Sequence, residues 1–183
     1  MEVEILPIEL PLIFMGKVIK LANELPRIFP WLKFAVVKDE PISIDINFAY
    51  NHQRRQYNAE KILNKLKGRK SFRVLGVTAV DLYVPELNFV FGVAEYNGTA
   101  ALISLNRLRP EFYGEPTNEK KFFERIIKEA VHELGHTFSL EHCPESSCVM
   151  HFSNSVLETD IKREDFCRTC KRKLIEEMKK YLI

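Results

Sequence analysis

The run His132-Glu133-Leu134-Gly135-His136 places two imidazoles four residues apart, with a carboxylate beside the first. On a helix, residues at that spacing are neighbours, about 5–6 Å between Cβ atoms, so both rings share one face and can reach one ion. Glu133 is rotated by about 100° from His132. It is badly placed to share that ion and well placed to take a proton from a water held beside it. The pattern fits a zinc hydrolase, although five residues alone also arise by chance. His142 lies six residues beyond His136. A continuous helix would turn it away, so the chain has to bend after about Phe138 if His142 is to return as a third ligand. Three protein ligands plus one open position is the catalytic arrangement for zinc.

A second cluster follows at once. All four cysteines, Cys143, Cys148, Cys167 and Cys170, lie in the last quarter of the chain. Tight pairs in a chain without an evident export signal read better as metal ligands than as disulfides. Met150 sits two residues after Cys148; a lone methionine is otherwise ordinary core filler.

Taken together, HELGHTFSLEH at 132–142, then Cys143, Cys148, Met150, and Cys167 with Cys170, resemble the archaemetzincin (archaelysin) family of the metzincin clan. The resemblance is close over about 132–170, and the stretch 77–108 is similar to the family's substrate-side sheet. One departure stands out: Ser139 occupies the position of the clan's glycine. That glycine adopts a conformation costly for other residues, by on the order of 1 kcal/mol, so a strained or remodelled bend is expected. The resemblance implies a catalytic zinc on His132, His136 and His142, Glu133 as general base, and Met150 as an apolar floor beneath the histidines. It implies a second, structural zinc on the four cysteines, bracing the irregular segment. It also implies substrate binding along about Val90, Phe91, Gly92, Val93 and Ala94, by pairing with an extended peptide.

The elements that must position these residues read as mixed α/β (α+β). Strands are expected over 2–8, 34–37, 72–78, 80–84, 88–95 and 100–105, with Pro41 beyond the second and an Asn97-Gly98 hairpin turn between the last two. Helices are expected over 12–25, ended by Pro26, over 52–67, stopped by Gly68, over about 117–138, and over about 168–182. Some 25 residues after about 139 show no periodicity, and a loop that long needs a brace or a function. The expected architecture is one metzincin-like domain over 1–183. A mixed twisted sheet and the active-site helix fill about 1–138; the Met-turn, zinc-braced segment and C-terminal helix fill about 139–183.

Composition narrows the function classes. With 183 residues, 46% hydrophobic, the chain can bury a sizeable core, and a net charge of +2 makes no global case for nucleic acid or anionic membranes. No apolar stretch reaches the roughly 20 residues needed to span a bilayer. The first residues lack a signal-peptide pattern and a first strand begins almost at Met1, so a cytoplasmic monomer without a zymogen segment is expected, acting on peptides or proteins. Two other readings remain open at this point. Lys162, Arg163, Arg168, Lys171, Arg172 and Lys173 beside the cysteines would suit a zinc ribbon on nucleic acid, although acidic residues are interspersed. A non-catalytic metal-binding interaction protein is the other. Asp81 either braces the active-site loop or faces solvent, and His52 and His151 are read as non-catalytic.

Overall fold

The computed structural model describes residues 1–37 and 46–182; Pro41 lies outside them. The strands are β1 (Glu2–Ile8), β2 (Lys33–Val36), β3 (Tyr50–Asn51), β4 (Gln56–Asn58), β5 (Arg73–Thr78), β6 (Leu82–Val84), β7 (Leu87–Val90), β8 (Gly92–Ala94) and β9 (Ala100–Ser104). The helices are α1 (Met15–Ile28), α2 (Ala59–Leu66), α3 (Glu119–Thr137), α4 (Val156–Ile161) and α5 (Arg168–Lys179).

The main sheet runs β2-β1-β5-β9-β8. Its first four members are parallel and β8 joins β9 antiparallel at the edge. Strict alternation sends Val3 and Ile5 of β1, Leu75 and Val77 of β5, and Ala101 and Ile103 of β9 into one core with α1 and α3. Leu6, Ile8, Val74, Ala100 and Leu102 enter a second core with Ile62, Leu63 and Leu66 of α2. Burial on both faces explains why residues 74–77 of β5 and 100–103 of β9 carry no polar side chain. A smaller sheet, β3-β4-β6-β7, lies beside it.

Four expectations are corrected. The first helix opens as a 3-10 turn, Leu12–Phe14, and α1 then runs through Pro26 to Ile28. A proline in the last turn removes one hydrogen bond, and burial of Ile28 and Phe29 offsets it. The second helix is shorter, because 56–58 is drawn into a strand and Asn58 caps α2 by accepting from the Lys61 amide. The expected strand 88–95 divides between the two sheets, so Val90 ends β7 while Gly92–Ala94 form β8. The long segment after 139 is not wholly irregular: it contains α4, opened by a Ser155/Glu158 capping box.

Candidate active site

α3 starts at an Asn118 cap and is buried nearly all round over its last three turns, His132 and Glu133 included. It stops through a paired hydrogen-bond closure: the Leu140 amide donates to the Gly135 carbonyl at 3.2 Å, and the Ser139 amide to the His136 carbonyl at 3.1 Å. That is a Schellman-type end, whose turning residue must be left-handed. Ser139 has φ of 62°, so the expected strain is present at the expected residue. The Asn97 amide also donates to the His136 carbonyl, and the Tyr96 hydroxyl to the Ser139 carbonyl, so the β8–β9 turn buttresses the bend.

Beyond the bend His142 returns. Its ring lies 5.4 Å from that of His132 and 4.8 Å from that of His136, and one ring nitrogen from each of the three falls within 4.8 Å of the others. The rings are oriented from behind. His132 Nδ1 donates to the Val149 carbonyl at 2.8 Å, and His136 Nδ1 to the Leu140 carbonyl at 2.7 Å. A carbonyl only accepts, so Nδ1 carries the hydrogen and Nε2 keeps its lone pair. The two Nε2 atoms are 3.1 Å apart. Two zinc-bound nitrogens in a tetrahedron stand about 3.3 Å apart, so the donor set fits that ion. Burial holds all three imidazoles below their ordinary pKa, His136 at about 4, with neighbouring positive charge from Lys162 adding to it. They are therefore neutral donors near pH 7.

Glu133 is buried, and burial lifts its carboxyl well above the usual range; Glu129 adds to the lift and Lys162 opposes it. β8 presses on it from the sheet edge. A Cβ placed on Gly92 would meet Glu133 Cγ at 2.6 Å and Oε1 at 2.7 Å, so only glycine lets the strand pass. Met150 is fully buried, and a Cβ on Gly135 would collide with its Sδ. The methionine thus packs against the helix between the two ligand positions.

The four cysteines form a second cluster, their Sγ atoms all within 4.8 Å of one another. Cys143 and Cys167 Sγ lie 3.8 Å apart, far from the roughly 2.05 Å of a disulfide and equal to about 3.8 Å for two thiolates on one tetrahedral zinc. Cys167 also caps α5, and Cys148 Sγ accepts from the Cys167 amide. Burial pushes the Cys148 thiol up to about 11, so it ionises only against a cation.

A polar network joins α4 to α3. Arg125, fully buried, grips Asp160 bidentately at 2.7 and 2.7 Å and donates to the Leu108 carbonyl. Lys162 Nζ lies 3.2 Å from Glu129 Oε1, both side chains almost fully buried. The sequence reading did not single out Arg125 or Glu129 and placed Lys162 only in the basic run; the available signal was a band of charge at Arg125, Lys128 and Glu129 on a helix otherwise apolar in its core turns. Asp81 braces rather than faces solvent, paired with Arg107 at 2.6 and 2.8 Å and accepting from Gln56. His52 packs on Tyr50 outside the site, and His151 Nδ1 hydrogen-bonds the Cys143 carbonyl. Within the basic run, Arg163 pairs with Glu145 and Lys171 with Asp165, so part of its charge is neutralised locally.

The family model described as "Peptidase family M54" matches residues 35–176. An archaemetzincin of Pyrococcus furiosus is 49% identical over 156 residues, 81% of each chain. Among solved structures, an archaemetzincin of Methanopyrus kandleri matches with a TM-score of 0.81 and 37% identity, covering 98% of this chain and 96% of that one. An archaemetzincin of Archaeoglobus fulgidus, complexed with malonate, matches with a TM-score of 0.79 and 39% identity, covering 94% and 99%.

Proposed function

The chain belongs to peptidase family M54, the archaemetzincins, and is a zinc-dependent peptidase; on that premise we propose which of its residues hold metal and carry the reaction. His132, His136 and His142 hold the catalytic zinc, and Glu133 is the general base. Cys143, Cys148, Cys167 and Cys170 hold a second, structural zinc, and Met150 floors the histidine site. The observation that carries this reading is the convergence of three imidazoles, two of them with Nδ1 tied to backbone carbonyls, beside a buried carboxylate.

Zinc, when bound, supplies Lewis acidity towards the scissile carbonyl and lowers the pKa of a water. Glu133 accepts the proton of the attacking water at its carboxylate and returns it to the leaving amine. No Ser or Cys nucleophile is needed. β8 is the end strand of its sheet, paired with β9 on one side, so an extended peptide can add along its outer edge through backbone hydrogen bonds. Gly92, Val93 and Ala94 take that role, with Val90 and Phe91 at its entry; all five line the cleft that holds the histidines. The chain works as one domain and as a monomer on peptides or proteins, in the cytoplasm and without nucleic acid. No helix among the described residues is long and apolar enough to cross a membrane.

Metal analysis beside a peptide-hydrolysis assay tests the assignment. Wild-type protein should carry two zinc per chain. Glu133→Gln should keep both and lose about a thousandfold or more in turnover, within the range for removing a general base. Wild-type turnover in that variant would strip Glu133 of its role.

A further inference from the structure

The cleft that holds the histidines encloses about 730 Å³, and past Glu133 its floor is ionic. Glu129 and Lys162 both line it, their side chains only 4% and 1% exposed. Lys162 Nζ donates to Glu129 Oε1 and to the His151 carbonyl, each at 3.2 Å, which leaves one of its three N–H groups over. Glu129 Oε1 also accepts from the Thr159 hydroxyl, while Oε2 has no partner among the described residues. Ser153, another lining residue, has a buried Oγ without a hydrogen-bond partner. The remaining wall includes Leu63, Val84, Phe89 and Phe152, which are apolar. One spare donor and one spare acceptor therefore lie at the floor of a cleft whose walls also carry Glu60, Asn88, Glu141 and Asn154.

Position in the cleft says which part of a substrate meets that floor. Glu129 precedes Glu133 by one helical turn on the same face of α3. Under the proposed reaction, on which this inference rests, Glu133 returns its proton to the leaving amine. The space adjoining it on that side holds the residue that supplies the amine. We propose that this floor selects peptides in which that residue carries a neutral amide, glutamine or asparagine, with Lys162 donating to the amide oxygen and Glu129 accepting from its NH2 group. Matching of donors and acceptors argues the same way. The floor offers one spare donor on Lys162 and one spare acceptor on Glu129, with Glu133 close by. An acidic side chain would face two carboxylates, and a basic one would offer no acceptor to the spare Lys162 N–H. An apolar side chain would leave the spare donor and acceptor desolvated and unmatched.

The test is a digest of peptides randomised at one position by the zinc-loaded enzyme, with the new N-termini sequenced. Glutamine and asparagine should be enriched at least about tenfold over leucine, glutamate and lysine, since sites built to hydrogen-bond a side chain reject analogues that lack it. Removing one member of a buried ion pair endangers folding, so the matching variant replaces both, Glu129→Leu with Lys162→Met. Its preference should move to leucine and methionine. The preference is a ratio within one digest and does not depend on how much enzyme is active. Cleavage without amide enrichment, or amide enrichment that survives in the double variant, overturns the proposal. Calorimetry of zinc-loaded Glu133→Gln protein with the dipeptides Gln-Ala and Leu-Ala gives a readout without turnover. Gln-Ala should bind at least about tenfold more tightly, and equal affinity sinks the idea. If no peptide is cut, the peptidase assignment of these residues fails, and the dipeptide affinities alone decide the pocket.

Discussion

The two metal-ligand clusters sit on adjacent residues, His142 and Cys143, yet they are built in opposite ways. The histidine cluster draws two ligands from the end of a rigid helix and one from the loop beyond it. Its burial falls from His132 through His136 to an exposed His142. The cysteine cluster has three of four ligands buried and draws them from a turn and from the start of α5. The first is supported from behind by carbonyls of the very segment that the second holds in place. Val149 and Leu140 orient the histidines, and Val149 follows Cys148 directly. Openness at one site is thus underwritten by closure at the other. Stability should reside in the thiolates and reactivity in the imidazoles.

The hardest blow to that division is Cys148→Ala. Structural zinc sites bind with about 10–16 kcal/mol in small zinc-finger peptides, so loss of even part of it should lower stability by several kcal/mol. We expect a fall in Tm of at least about 10 °C, with one zinc missing by metal analysis. The remaining zinc should also be held more than about tenfold less tightly, because the carbonyls behind the histidines lose their anchor. A variant with one zinc, unchanged Tm and full activity would dissolve the coupling.

His142→Ala should give the reverse pattern. The residue is exposed and outside the core, so Tm with the structural zinc in place should move by no more than a few degrees. Affinity for the catalytic zinc should fall by more than about a hundredfold, the upper range for a mere supporting contact. Competition with a coloured chelator reads the affinity, and a Tm loss equal to that of Cys148→Ala would erase the contrast.

How much of this was legible in the chain follows from the same contrast. Histidines and cysteines announce themselves because each ligand type is rare and its spacing is fixed by a helix turn or a tight loop. The bend beyond Phe138 was legible from the need to return His142, and Ser139 as its strained residue through the resemblance, because it stands where the clan's signature has glycine. The support was not. Arg125 and Glu129 are charged, and charge on a helix ordinarily marks the solvent face, whereas here a short helix, α4, packs over them: its Asp160 pairs Arg125, and Lys162, just past its end, pairs Glu129. α4 itself is six residues long and has only a capping box to mark it. The run 88–95 hides a change of sheet at Phe91 that alternation cannot show, because the strands on both sides are partly apolar. Pro26 misled for a related reason: a terminal-turn proline costs less than the burial that follows it.

Gly92→Ala probes the wall between the substrate edge and the base. Its Cβ would fall within 2.7 Å of the Glu133 carboxylate and 2.8 Å from the Leu102 carbonyl. One side of that clash is sheet backbone, so Glu133 has to move. A displacement of that kind costs on the order of a hundredfold in turnover, with zinc content and Tm nearly unchanged. Activity within twofold of wild type would mean that β8 does not fix the base.

The smallest expected effect carries the sharpest sign. Ser139 holds φ of 62° at the turning position of the helix end, where a Cβ is strained and glycine is not. Its backbone already makes the closing hydrogen bonds, and no side-chain bond of Ser139 enters the closure. Ser139→Gly should therefore relieve strain in the folded state by about 1 kcal/mol, less the extra freedom glycine gains when unfolded. The net gain is at most about half a kcal/mol, so a rise in Tm of about one degree is expected, with both zincs retained. Turnover should stay within about threefold, since the His136 and Leu140 contacts that place the ring are made by backbone. A fall in Tm would show that the serine is held there by an interaction stronger than the strain it bears. The bend would then have to be counted among the braced parts of the molecule, on the side of the cysteines rather than the histidines.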